Sequence, residues 1–338
     1  MSLSISDFFA ARIQSIPTDL PLAVDIYLFV NREPILFRKA GDTITRLRME
    51  ELLKHRVKEV LIPNDQKARY LDSLRQISRN DTLKKEIRGK FIKESAFNHI
   101  EDIFTKPDVK TLVEDSEVIV KDIVDFVSED MEAVASLMRL STHDYYTYNH
   151  SVNVGVYTIA LCKRIYGEDK DLLIKAGLGG LLHDLGKRRV PIEIINKPGK
   201  LSAEEWEEVK NHPAYGKEYL DSLHSISDET KRIVYEHHEN IDGTGYPNGL
   251  TLDEISKVAR IAAIADVFDA LTTKRAYKDA VPADKALEIM YSMQPGKFDP
   301  SLFKYFDRNL EKKVELAIEK DFDPCDEHDH AKKIKKVS

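Results

Sequence analysis

The sequence predicts an α+β protein: a small mixed α/β amino-terminal domain, a helical linker and an all-α carboxy-terminal domain. Three observations predict it. β-rich runs occur only before residue 66, polar and helix-favouring residues follow to about Lys106, and no alternating strand pattern of any length appears after about Ser141. In the first domain, residues 1–66, AVDIYLFV (23–30) and EPILFRKA (33–40) are β-rich runs separated by Asn31-Arg32. RMEELLKHR (48–56) then reads as a short helix, and VKEVLIP (57–63) returns as a strand. Nothing in this domain carries recognisable chemistry.

From Asp65 to Lys106 the composition suits an exposed connecting helix, broken near Lys106-Pro107-Asp108. Apolar residues then recur at helical spacing through Val118, Ile119, Ile123, Val127, Met131, Val134 and Met138. That stripe is expected to pack on a core, and the 110–140 helix is also the expected homodimer contact. Residues 67–140 are therefore read as connecting helices, and 141–338 as the helical domain with a charged tail.

Length and charge narrow the function. At about 150 residues per domain, 338 residues suggest two domains with room for a sizeable core. Basic and acidic side chains number 51 and 58, for a net charge of −7, and no basic stripe is visible, which argues against duplex nucleic acid as a partner. The terminal KKIKK (332–336) reads as a solvated tail. Cys162 and Cys325 stand in no metal or redox spacing, which fits a reducing compartment. The start lacks an export signal, and the most apolar strand-like run, Ala23 to Val30, holds Asp25 and falls short of the ~20 residues that span a bilayer. A soluble cytoplasmic protein without a membrane span is expected.

Six of the eleven histidines lie between His150 and His238. The dipeptide His-Asp occurs at 143–144, 183–184 and 328–329, and context singles out the second. His183-Asp184 ends an apolar, small-residue helix that reaches Gly186, where an ionisable pair must be solvated, hydrogen-bonded or metal-bound. His237-His238-Glu239 closes another expected helix and opens a loop rich in turn residues, Asn240 to Pro247. Asp266 sits in a helix apolar enough to be buried, so its carboxylate calls for a cation. His150, His183, Asp184, His212, His237, His238 and Asp266 thus offer five imidazoles and two carboxylates. This donor set suits Fe, Mn, Zn, Co or Ni and not a structural zinc site. Seven donors exceed one octahedral ion. Two six-coordinate ions sharing a carboxylate would keep open positions, the arrangement that recurs in phosphate-ester hydrolysis.

LLHDLGK, KPGKLSAEEWEEVKNHPAYG, HHENIDGTGYPNGL and IAAIADVFDALTTKRAYKDA follow in this order. In them the sequence resembles the HD-GYP domain, a branch of the HD phosphohydrolase superfamily, over about residues 141 to 309. The resemblance implies a helical fold with a two- or three-metal centre, often iron or manganese. It also implies hydrolysis of cyclic di-GMP to pGpG or on to GMP. The family's metal ligands fall on the same seven residues, with Asp184 in the bridging place. Its lysine falls on Lys187, its phosphate-binding Arg and Lys on Arg275 and Lys278, and its triplet on Gly245-Tyr246-Pro247. Tyr146 stands where three-metal members carry an acid, which argues against a third ion. Arg188-Arg189 replaces the more usual apolar and small residues.

The expected chemistry is in-line attack by a hydroxide held between two cations, with Lys187 stabilising phosphate charge and assisting the leaving 3′ oxygen. Tyr246 either lines the substrate pocket or only completes a rigid turn. Asp242 and Asp269 are expected to hydrogen-bond metal-bound imidazoles, and Trp206 to serve packing. Arg275 follows Asp266 by nine residues, roughly 13 Å along an ideal helix and on its far side. Either that helix ends near Thr272-Thr273 or Arg275 reaches a remote part of a large substrate. The tail from Cys325 to His330 reads as disordered. The leading function is thus a cyclic di-GMP phosphodiesterase regulated by its amino-terminal domain. The alternative is a catalytically weak signalling adaptor that binds the dinucleotide or partner proteins.

Overall fold

A computed structural model of the chain describes residues 4–138, 146–197, 199–273 and 280–306. They fall into two compact units, Met1–Ser95 and Ala96–Ser338. The first contains β1 (Phe8–Arg12), β2 (Ile26–Val30), β3 (Glu33–Arg38), α1 (Arg46–Lys54), β4 (Glu59–Pro63) and α2 (Lys67–Ser78). All pairings in its sheet are antiparallel, in the order β1-β4-β2-β3. Between β2 and β3 a hairpin closes with Val30 opposite Glu33. Asn31 and Arg32 both take positive φ, the backbone that matches the twist of a two-residue hairpin. Ile26, Val60 and Ile62 from the sheet meet Met49 and Leu52 of α1 in the core. Tyr70 and Leu74, one turn apart on α2, join them.

The expected linker therefore does not stand apart. α2 belongs to the first core, and α3 (Lys85–Thr105) buries Phe91, Ile92, Ala96, Phe97 and Ile100 instead of presenting an exposed rod. α4 (Val109–Glu129) begins after Pro107, capped by Asp108, which accepts a hydrogen bond from Thr111 N. The long apolar stripe is divided. Asp130 adopts an extended backbone and accepts from Ala133 N, so α5 (Met131–Met138) starts as a separate helix. Ile119, Val120, Ile123, Val124 and Val127 are buried, whereas Val118 is exposed.

The second unit continues with α6 (Tyr146–Tyr166), α7 (Lys170–Leu182), α8 (Ile192–Ile195), α9 (Ala203–Lys210), α10 (His212–Asp221), α11 (Asp228–Glu236), α12 (Lys257–Thr272), α13 (Ala283–Lys297) and α14 (Pro300–Phe303). α7 is the hub, packed against α4, α6, α11 and α12. Small residues allow this. A Cβ on Gly180 would stand 3.0 Å from Gly155 Cα, so α6 and α7 meet backbone to backbone. That close approach draws His150 and His183 towards one another. No helix among the described residues is long and apolar enough to cross a membrane.

Candidate metal centre

Five helices and one short turn deliver seven donors to one place. His150 projects from α6, His183 caps the C-terminal end of α7, and Asp184 precedes a 3-10 turn, Leu185–Arg189. His212 opens α10, His237 caps α11 with His238 next in the chain, and Asp266 lies within α12. Six of the seven are buried and His238 is partly so. The Asp184 carboxylate divides between two groups. Its Oδ1 is 3.3 Å from His212 Nε2, and its Oδ2 is 3.4 Å from His183 Nε2 and 3.9 Å from His150 Nε2. Within His150, His183 and Asp184, and within Asp184, His212, His237 and His238, the donor atoms all lie within 4.8 Å of one another. Asp266 reaches both sides as well. Its Oδ1 is 3.1 Å from His150 Nε2 and 4.0 Å from His183 Nε2, and its Oδ2 is 3.9 Å from His238 Nδ1.

Hydrogen bonding sets which ring nitrogens are free. Nδ1 of His183, His212 and His237 lies 2.8, 2.7 and 3.0 Å from the carbonyls of Gly180, Val209 and Val234, each three residues earlier. An Nδ1–H donated to a carbonyl leaves Nε2 of the neutral ring as a lone pair. His212 Nε2 and His237 Nε2 then face each other at 3.2 Å with no proton between them. A cation taking both lone pairs removes that conflict. Among the described residues His183 Nε2 and Asp184 Oδ1 are buried without a hydrogen-bond partner. These orphaned donors, with no thiolate among them, can hold a divalent ion that prefers nitrogen and oxygen.

Electrostatics supplies the protonation states a metal needs at most positions. Burial pushes His212 down to about 4, and pushes His237 and His238 well below the ordinary imidazole range. Burial opposes ionisation of Asp184, but the adjoining His183 and Lys187 overcome it and hold the carboxyl well below its usual range. At Asp266 burial likewise yields, here to the hydrogen bond and charge of His150. His150 is the exception: although burial works against its charge, Asp266 and Asp269 raise it to about 9.

Residues 139–302 match the family model of the HD domain. Over those residues the chain is similar to HD domains. It is 44% identical over 189 residues to "Cyclic di-GMP phosphodiesterase PA4108" of Pseudomonas aeruginosa, covering 55% of this chain and 45% of that protein. It is 43% identical over 158 residues to "3′3′-cGAMP-specific phosphodiesterase 3" of Vibrio cholerae, covering 47% and 34%. The chain thus spans less than half the length of these two curated relatives. The solved structure of Bd1817, a HDG"Y"P protein from Bdellovibrio bacteriovorus, superposes with a TM-score of 0.71 at 23% identity, over 91% of this chain and all of that one. At that identity the likeness is one of fold.

Around the seven donors the fold places the other expected residues unevenly. Lys187 Nζ stands 2.6 Å from Asp184 Oδ2. Asp269 meets expectation, accepting from His150 Nδ1 at 2.7 Å; it also binds Asn153 and Thr273, two partners no motif had marked. Asp242 does not meet it: its carboxylate binds Thr244 N and Oγ1 at 3.0 and 2.6 Å, not an imidazole, because the loop turns back on itself there. The loop is tied to the centre by Tyr246 N donating to His238 O at 3.2 Å, and by buried Glu239 accepting from Asn248 N and Leu250 N. The Tyr246 ring lies 4.7 Å from the His238 ring, and burial pushes its hydroxyl pKa up. Trp206, expected to pack, is 47% exposed. Arg188 has a part the sequence did not disclose. Its guanidinium donates to the carbonyls of Ile103 and Lys106 and so caps the end of α3. α12 ends at Thr272 and Thr273 is extended, the first of the two alternatives for Arg275. Arg275, Lys278, the His-Asp pairs at 143 and 328 and the 325–330 tail lie outside the described residues, as does the Tyr146 side chain.

Proposed function

We propose that this HD domain is a two-cation phosphodiesterase of the HD-GYP type that hydrolyses cyclic di-GMP to pGpG, GMP or both. The observation that carries the reading is Asp184, whose two oxygens face two separate imidazole groups in a buried site. The activities for which the two curated relatives are named support a cyclic dinucleotide as substrate. His150, His183 and Asp266 would hold one ion and His212, His237 and His238 the other, with Asp184 shared. When bound, two divalent cations, Fe or Mn in this reading, supply Lewis acidity to the phosphoryl oxygens and lower the pKa of water.

The chain's own groups do the rest. Asp269 and the three backbone carbonyls hold the imidazoles in one tautomer and orientation, so no reorganisation accompanies the reaction. Lys187, held beside Asp184, places a positive charge where phosphate charge develops and carries a proton available to the departing 3′ oxygen. Tyr246 walls the site beside His238. Arg275 and Lys278 take the second phosphate, in keeping with the HD-GYP resemblance. Regulation by the amino-terminal unit, a cytoplasmic location and homodimerisation through the 110–140 segment complete the reading. The last now rests on the exposed face of α4 that carries Val118, and mass in solution checks it.

Metal analysis of anaerobically purified protein, followed by chromatography of products from cyclic di-GMP and 3′3′-cGAMP, tests the proposal. Two equivalents of metal and turnover that Asp184→Ala abolishes support it. Metal retained by the wild type without turnover of either dinucleotide would move the reading to a binding adaptor.

A further inference from the structure

We propose that Trp206 is the residue on which the HD domain stacks a purine base of its dinucleotide, an inference that rests on the phosphodiesterase reading above. α9 is set by Ser202, whose side chain accepts from Glu205 N while the Glu205 carboxylate accepts from Ser202 N. Although tryptophan has much apolar surface to bury, 47% of this one is exposed.

Its neighbours point to a ligand. The Trp206 ring lies 6.4 Å from the Tyr246 ring at an interplanar angle of 78°. Tyr246 in turn lies 4.7 Å from the ring of His238, one of the seven donors. A line of aromatic rings therefore runs outward from the candidate metal centre and ends at the exposed indole. A perpendicular neighbour covers at most one face of that indole, so the other can receive a flat heterocycle. A phosphodiester held at the cations carries its bases away from them, and stacking on an aromatic side chain suits any base because every base has a π-face. Trp206 is thus a binding residue for the base, and Tyr246 the wall between base and metal.

Trp206 is the only tryptophan in the chain, so its emission reports on this residue alone. The metal-loaded protein is titrated with a bis-phosphorothioate analogue of cyclic di-GMP, which resists turnover. Intrinsic fluorescence, acrylamide quenching and calorimetry are followed together. Stacking is expected to quench the emission and shield it from acrylamide at the concentrations where calorimetry records binding. Trp206→Ala is expected to raise KM for cyclic di-GMP by about 5- to 150-fold with kcat held within about twofold of the wild type, and Trp206→Phe to restore most of the KM. Emission unmoved while calorimetry records binding, or a Trp206→Ala loss that falls on kcat with KM unchanged, would overturn the assignment. If wild type neither binds nor cleaves the dinucleotide, the phosphodiesterase reading fails and this inference falls with it. If it does, and only the indole signals are absent, the function stands and the role of Trp206 falls alone.

Discussion

Gly186→Ala should dismantle half of the metal centre without touching a donor. Gly186 lies two residues after Asp184 and packs against the start of α10, where His212 sits. An added Cβ would run into His212 O and stand 2.5 Å from Gly216 N and 2.8 Å from the His212 carbonyl carbon. Non-bonded contacts to carbon settle at about 3.5 Å, so α10 must retreat by roughly 1 Å. The facing atoms are backbone and have no rotamer to turn aside. Metal–ligand distances tolerate only about 0.2 Å, so His212 would no longer share an ion with Asp184, His237 and His238. A displacement of this size can cost about 10²-fold in rate, and overpacking costs about 1–3 kcal/mol of stability. Metal content by plasma emission spectrometry, the urea midpoint and hydrolysis of cyclic di-GMP read the three consequences. The expected variant is folded, retains about one equivalent of metal and turns over at least ~10²-fold more slowly. Two equivalents of metal with wild-type turnover would show that the contact does not place His212.

Other perturbations probe the supports of the same centre. Asp269→Ala removes the acceptor from His150 Nδ1, and equilibrium dialysis should show metal affinity reduced about 10- to 100-fold; unchanged affinity would mean that packing alone orients the ring. Arg188→Met removes a charged donor from the carbonyls of Ile103 and Lys106. It should lower unfolding free energy by about 2 kcal/mol in urea with a smaller effect on metal content, whereas an unchanged midpoint refutes the capping role. The pH dependence of metal uptake follows from His150. With its pKa raised to about 9 in the metal-free protein, its Nε2 carries a proton at pH 7 that a metal must displace. Affinity should therefore climb as pH rises towards 9 and level beyond it. Calorimetry at pH 7 in buffers of different ionisation enthalpy should record about one proton released from this group. His212, pushed down to about 4, is already neutral there and releases none.

The local signals in this chain were legible because each depends on neighbours a few residues away. β2 and β3 followed from two β-rich runs separated by Asn31-Arg32, whereas Asp242 and Asp269 carried one expectation that only the fold could divide. β1 escaped notice because FFAAR carries no alternation; it is a strand only because its backbone pairs with β4, some fifty residues on. The 110–140 stripe read as one helix, since apolar periodicity continues through Asp130, yet that side chain caps a new helix and breaks the run. Trp206 reads as a packing residue within a capped helix. Whether anything covers it depends on packing that no sequence window contains.

By itself the sequence determined which donors exist, in what order, and that they could not all lie unpaired in an apolar helical domain. Tertiary structure decided that Asp184 turns one oxygen to each imidazole group, that Nε2 of His150, His183, His212 and His237 faces the centre, and that Arg188 caps α3. The physical reason is range. Propensities and caps act over a single turn, whereas His150 and Asp269 meet across 119 residues, and only the packing of α6, α7 and α12 brings such positions within a hydrogen bond.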